Sequence, residues 1–274
     1  MTALEARRGL VLGAGGVLGA AWALGALAAV QEQYGWDPRE AEALVGTSAG
    51  AVLAASLAAG VPVDALLRST APVAALSTVL PHGRGSVEPV GRLVDELVPP
   101  GAWAPHPCTW IVAMDHDSGR RVPFGRPGAP PAALRDAVRA SCSVPGWYAP
   151  VPIGRARYVD GGACSPTSLD LVTRLGLAEV VVLSPTTSRE YDAPGSVAAR
   201  LERRFRRLVT KRLAREVDLV VAAGTRVTVL GPGPEDLAVI GANLMDPRRA
   251  DAVLETSLRT SAAALRAQRL SAAG

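Results

Sequence analysis

The segment that most constrains this chain is Gly9–Val30, GLVLGAGGVLGAAWALGALAAV. It runs 22 residues without a charge directly after Arg7-Arg8. By length such a run can cross a bilayer, and behind paired arginines it can act as an export signal. Six of its residues are glycine, four of them between Gly13 and Gly19, and each glycine weakens a helix by about 1 kcal/mol. A continuous span is therefore a poor use of this sequence. The better reading divides it into a short buried strand over Gly9–Leu12, a tight turn over Gly13–Gly16, and a buried helix from Val17 to about Tyr34.

The same alternation continues along the chain. Leu44-Val45 reads as the end of a strand, and a helix follows from Ala49 to about Ala59, stopped by Gly60. Asp64–Thr70 reads as helical, as does a stretch carrying Val90, Leu93, Val94 and Leu97 at helical spacing. Trp110–Met114 reads as a strand that turns through Asp117–Arg120 and returns at Val122–Phe124. A helix over Leu134–Ala140 and a strand ending Tyr158-Val159-Asp160 come next. Val180–Leu183 and Val227–Leu230 have the β-branched character of central parallel strands, and a helix over about Arg248–Arg269 closes the chain. This order implies a mostly parallel sheet covered on both faces.

With 49% hydrophobic and 20% charged residues, and no repeat or linker-like stretch, residues 1–274 are expected to form one domain. Aromatics are only 4%, so the core must rest on Ala, Val and Leu. Cys108, Cys142 and Cys164 are odd in number and unpatterned, which argues against a disulfide framework or zinc module and for a reducing, cytoplasmic setting.

Three short stretches carry chemistry. Gly46-Thr47-Ser48-Ala49-Gly50 joins a strand to a helix, the context of a nucleophile elbow, where small neighbours permit a strained turn that lifts the serine hydroxyl above the sheet. A helix N-cap is the rival reading, and this segment alone does not separate the two. Gly13-Ala14-Gly15-Gly16 offers unobstructed backbone amides at a helix N-terminus, suited to an oxyanion. A dinucleotide fingerprint would need glycine where Leu18 stands, and an acidic residue ending a second strand about 20 positions further on, which the sequence lacks. Asp160-Gly161-Gly162 in isolation reads as a turn. The histidines are only His82, His106 and His116, so none can follow a late acid as the hydrolase order Ser, Asp/Glu, His requires. A carboxylate acting directly on Ser48 is simpler, and Asp160 is the best-placed candidate. His116, between two aspartates, reads as a solvated turn residue.

LVLGAGGVLGAAWALGAL, GTSAG and AVRASCSVPGWYAPVPIGRARYVDGGACSPTSLDL together resemble the patatin-like phospholipases over roughly Gly9 to Leu183. NLMDPRRADAVL near the C-terminus resembles their small bacterial members. The resemblance implies a three-layer α/β/α fold and a Ser–Asp dyad without histidine, with Ser48 as nucleophile and Asp160 as base. It assigns the oxyanion hole to the backbone of Gly15 and Gly16, with Ala14 beside them, and implies a lipid or other ester substrate with no cofactor and no metal. Ala140–Pro145 resembles the segment packed under the site. The family usually carries Arg or Lys where Leu18 stands and often Gly where Ala14 stands. Those departures keep acyl transfer, or a weakly active or non-hydrolytic role, as the alternative.

Arg200–Arg215 holds seven arginines and Lys211 against Glu202, a local charge of +7 in a chain of net +4. Leu201, Phe205, Leu208 and Leu213 fall close to one helical face, giving a basic amphipathic helix. Such helices are solvated faces or dock on anionic membranes. With one aromatic and no known module, nucleic-acid binding is not expected. The proline-bearing stretch Pro72–Pro107 is a candidate lid.

Overall fold

The computed structural model describes residues 7–69, 71–77, 85–188 and 197–273. The chain runs through β1 (Arg8–Leu12), α1 (Gly16–Tyr34), β2 (Ala43–Thr47), α2 (Ala49–Ala58), α3 (Val63–Arg68), α4 (Ala71–Leu76) and α5 (Glu88–Leu97). It continues through β3 (Thr109–Asp115), β4 (Arg121–Phe124), α6 (Leu134–Ser141), β5 (Val151–Ile153) and β6 (Ala156–Asp160). The last part is β7 (Glu179–Leu183), α7 (Val197–Ala222), β8 (Arg226–Leu230), α8 (Pro234–Ile240) and α9 (Ala250–Ala273). The sequence reading does not anticipate α4, β5 or α8, each seven residues or shorter. Part of the candidate lid, with His82, lies outside the described residues.

Gly9–Val30 folds as the divided reading expects. Thirteen of the nineteen α1 residues are buried, and α9 packs along the helix. Gly25 permits that approach, because a Cβ there would lie 2.8 Å from Ser257 Cβ. Ser257 Oγ also donates to the Trp22 carbonyl at 2.6 Å. Among the described residues no helix is long and apolar enough to cross a membrane.

The sheet follows the hydrogen-bonded path β5-β6-β3-β2-β1-β7-β8, with β4 paired to β3. Its centre is parallel, as expected, while β4, β5 and β6 pair antiparallel, so the sheet is mixed. Strand residues alternate between two cores. Leu10, Leu12, Leu44, Ile111 and Leu183 join one with α1, α2 and α9 residues, whereas Val11, Val45, Val112 and Val182 join the other, with Leu213 and Val220 of α7. Helices on both faces make three layers.

The register on β3 positions the site. β2 pairs with β3 through Ile111 and Val112, and β6 pairs with it from Ala113 onward. β4 pairs with residues in both stretches. A strand has two edges, so β4 occupies one while β2 and β6 share the other, end to end. The last residue of β2, Thr47, is thereby followed along that edge by the last residue of β6, Asp160.

The basic segment departs from its expected pattern. Leu213 is buried, but Leu201, Phe205 and Leu208 are 69%, 51% and 68% exposed. The inward face of α7 instead carries Arg203, Arg206, Val209 and Glu216. The physical reason lies in what it covers: polar loops at the ends of the parallel strands, which need ionic partners.

Candidate active site

Ser48 sits between β2 and α2 with φ 56° and ψ −122°, outside the regions a serine ordinarily adopts, at a cost on the order of 1–3 kcal/mol. Its side chain makes no capping bond to α2, which favours the elbow over the N-cap reading. The turn closes only because its flanks lack side chains. A Cβ on Gly50 would lie 2.0 Å from the Leu12 carbonyl oxygen, and one on Gly46 would lie 2.5 Å from that of Gly50. Thr47 and Ala49 on either side of the serine are both buried.

Three consecutive residues at the end of α6 hold both candidate catalytic positions. Ser141 Oγ accepts from the Ser48 amide at 2.8 Å and donates to the Val112 carbonyl at 2.7 Å. Cys142 Sγ donates to the Ser48 carbonyl at 3.3 Å. The Asp160 amide donates to the Ser143 carbonyl at 2.9 Å. Sequence reasoning placed this stretch under the site by resemblance alone; no local spacing marks Ser141.

Asp160 is 4% exposed and Ser48 5%. Both line the same cavity, where the Ser48 side chain favours the charged form of the Asp160 carboxyl, and Asp160 Oδ1 accepts from the Gly162 amide at 2.7 Å. Burial disfavours the charged form and pushes the carboxyl up to about 6, while the Ser48 side chain and the Gly162 amide pull it partly back. Gly161 must be glycine, since a Cβ would lie 2.4 Å from the Val112 carbonyl oxygen.

The glycine turn faces this pair. Gly13 donates to the Leu183 carbonyl and Ala14 to the Pro166 carbonyl, both at 2.8 Å. The amide of Ala14, expected beside the oxyanion donors, is therefore engaged within the turn. Gly15 and Gly16 carry no such bond among the described residues, and both line the cavity over Ser48. Gly16 has φ +61°, and Met245 Sδ would lie 2.6 Å from a Cβ there. Leu18 is fully buried, and its amide donates to the Leu244 carbonyl at 2.9 Å. Hydrocarbon thus fills the position where the resemblance predicts a cation.

Ionic support for the turn comes from α7. Arg206, 1% exposed, donates to the Pro185 carbonyl at 2.6 Å, and Pro185 packs against Gly15, 2.8 Å from where its Cβ would stand. Glu216 accepts from Ser165 Oγ at 2.5 Å, Thr167 Oγ1 at 2.7 Å and the Leu169 amide at 2.9 Å. Those residues flank Pro166, the acceptor for Ala14. One helix therefore fixes both walls of the turn, which its charge run gave no means of foreseeing.

Above the pair lies a cavity of about 370 Å³, with Leu76, Val90, Val144, Phe205 and Leu244 among its walls. Thr186 also lines it, with a buried hydroxyl that has no hydrogen-bond partner among the described residues. His106 bonds the Ala41 carbonyl, and exposed His116 bonds Asp117; neither lines the cavity. No cluster of metal-ligating side chains occurs among the described residues.

A family model for patatin-like phospholipase matches residues 10–173, more than half of the chain. The chain belongs to the patatin-like phospholipase family. The matched patatin-like region contains the glycine turn, Ser48 and Asp160, and family membership implies lipid acyl hydrolase activity on lipid esters. No curated protein matches the chain. Among solved structures, "Crystal structure of VipD from Legionella pneumophila" is similar at 15% identity, covering 92% of this chain and 67% of that one, with a TM-score of 0.40.

Proposed function

We propose that the protein is a serine acyl hydrolase of the phospholipase A or esterase type, in which Ser48 and Asp160 act as a dyad. The observation that carries this is a strained Ser48 and a buried carboxyl, Asp160, lining the same apolar cavity. Asp160 takes the Ser48 proton as Oγ attacks the ester carbonyl, and the amides of Gly15 and Gly16 hold the oxyanion. Collapse expels the alcohol, which takes the proton from Asp160. Water then attacks the acyl-enzyme, giving a proton to Asp160 that returns to Ser48 as the fatty acid leaves.

The polarity of the walls suits the acyl chain of a lipid, and the raised carboxyl pKa gives Asp160 more basicity than an exposed aspartate has. Burial serves both ends. The test is labelling by a fluorophosphonate alongside turnover of a short-chain ester. Wild type should label at one site, and Ser48→Ala should not label at all. Asp160→Asn should lose about 10³-fold or more in turnover while circular dichroism stays unchanged. An Asp160→Asn protein with full turnover would remove Asp160 from the mechanism.

A further inference from the structure

The outward face of α7 carries an arrangement that the catalytic assignment leaves unused. At 100° per residue, Leu201, Arg204, Phe205, Leu208, Lys211 and Arg215 fall within one arc of about 120°, and all six are exposed. Three of them are large hydrophobics at least half exposed. Glu202, the single acid in the Arg200–Arg215 run, is turned inward, its side chain only 10% exposed. Between Leu201 and Arg215 this arc is thus an apolar row studded with cations alone, and the exposed Asp218 stands at its edge one turn further on.

This row is continuous with the cavity. Phe205 belongs to both, exposed on the helix and lining the space above Ser48. Trp147, 37% exposed, is a further wall residue that reaches solvent. Apolar surface therefore leads from the outside of α7 into the chamber that holds the serine.

We propose that this face of α7 docks on the surface of a bilayer rich in anionic phospholipid, setting the cavity mouth directly against the lipid. The inference rests on the acyl hydrolase reading for its purpose, though the surface stands on its own geometry. Charge selects the occupant. Arg204, Lys211 and Arg215 match anionic headgroups, while Leu201, Phe205 and Leu208 have the depth to enter the headgroup and acyl boundary. A second copy of the chain would bring the same cations against themselves. Nucleic acid would satisfy the cations but leave the leucines and phenylalanine in water. Docked in this way, the enzyme would admit an acyl chain past Phe205 without carrying it through solvent.

The experiment is cosedimentation with vesicles of phosphatidylglycerol and phosphatidylcholine, or of phosphatidylcholine alone, at low salt. Turnover of a soluble short-chain ester is measured in parallel. The variants are Arg204→Glu/Lys211→Glu/Arg215→Glu and Leu201→Ser/Leu208→Ser, which spare every cavity residue. Wild type should pellet with the anionic vesicles and stay in solution with the zwitterionic ones. Each variant should lose about tenfold or more in vesicle binding and retain soluble-ester turnover within about twofold. Wild type that stays in solution with anionic vesicles overturns the proposal, as do variants that pellet like wild type. A concentration-dependent dimer abolished by Leu201→Ser/Leu208→Ser would assign the face to a second copy and overturn it too. Absent ester turnover and absent labelling in wild type would instead sink the hydrolase reading, with the sedimentation result still deciding the surface.

Discussion

Ser48 and Asp160 meet at one point, but two different halves of the sheet deliver them by different means. Ser48 leaves the parallel half, where β2 is hemmed by β1 and β3, and its position is held by backbone: a positive φ, two flanking glycines without room for a Cβ, and bonds to its amide and carbonyl. Asp160 leaves the antiparallel half with an ordinary φ of −52°. What is unusual there is solvation, a carboxyl shut away from water. The serine is prepared by geometry and the aspartate by desolvation, so different perturbations should break them.

The largest effect is expected on the geometric side. Gly50→Ala drives a methyl into the Leu12 carbonyl and should cost on the order of 4 kcal/mol or more, read by urea denaturation as a sharply lowered midpoint or failure to fold. Desolvation answers to pH instead. The folded carboxyl of Asp160 lies near 6, above its unfolded value of 3.8, so the fold favours the protonated form. The stability this group contributes is complete below about pH 4 and is lost as pH rises through 6, on the order of 3 kcal/mol by pH 8. Asp160→Asn should remove that pH dependence and raise the melting temperature at pH 8, while wild-type turnover climbs through pH 6 as the base ionises. A melting temperature unmoved by the substitution at pH 8 would show that desolvation does not tune this carboxyl.

A smaller effect sharpens the contrast from outside. Glu216→Gln leaves the cavity walls alone but can no longer accept from Ser165, Thr167 and Leu169 together, a loss of about 1–3 kcal/mol. The loop at Pro166 should slacken its hold on Ala14, and kcat should drop by about tenfold with KM little changed. A parallel fall in stability with intact kcat would confine Glu216 to the fold.

What the sequence made legible follows the range of the interactions involved. The β1–α1 and β2–α2 units announce themselves through local glycines and apolar runs, because the strained backbone and its relief lie within a few residues. Asp160 emerged from the absence of a usable histidine. The engagement of the Ala14 amide is not legible locally, because its acceptor, Pro166, is over 150 positions away. The reversal of α7 has the same origin: Arg206 and Glu216 turn inward toward carbonyls and hydroxyls of distant loops, and helical spacing of leucines carries no knowledge of them.

The shared edge of β3 makes the distance between Ser48 and Asp160 a question of alignment. If β6 slid by one residue, its side chains would change faces and the Asp160 carboxylate would point to the opposite core. A slide of two would restore the face but carry it roughly 7 Å along the edge, beyond hydrogen-bond reach of Ser48. Under the proposed dyad, turnover would therefore also be an assay of assembly, silent in any chain whose antiparallel return has paired out of step, however well its parallel half has folded.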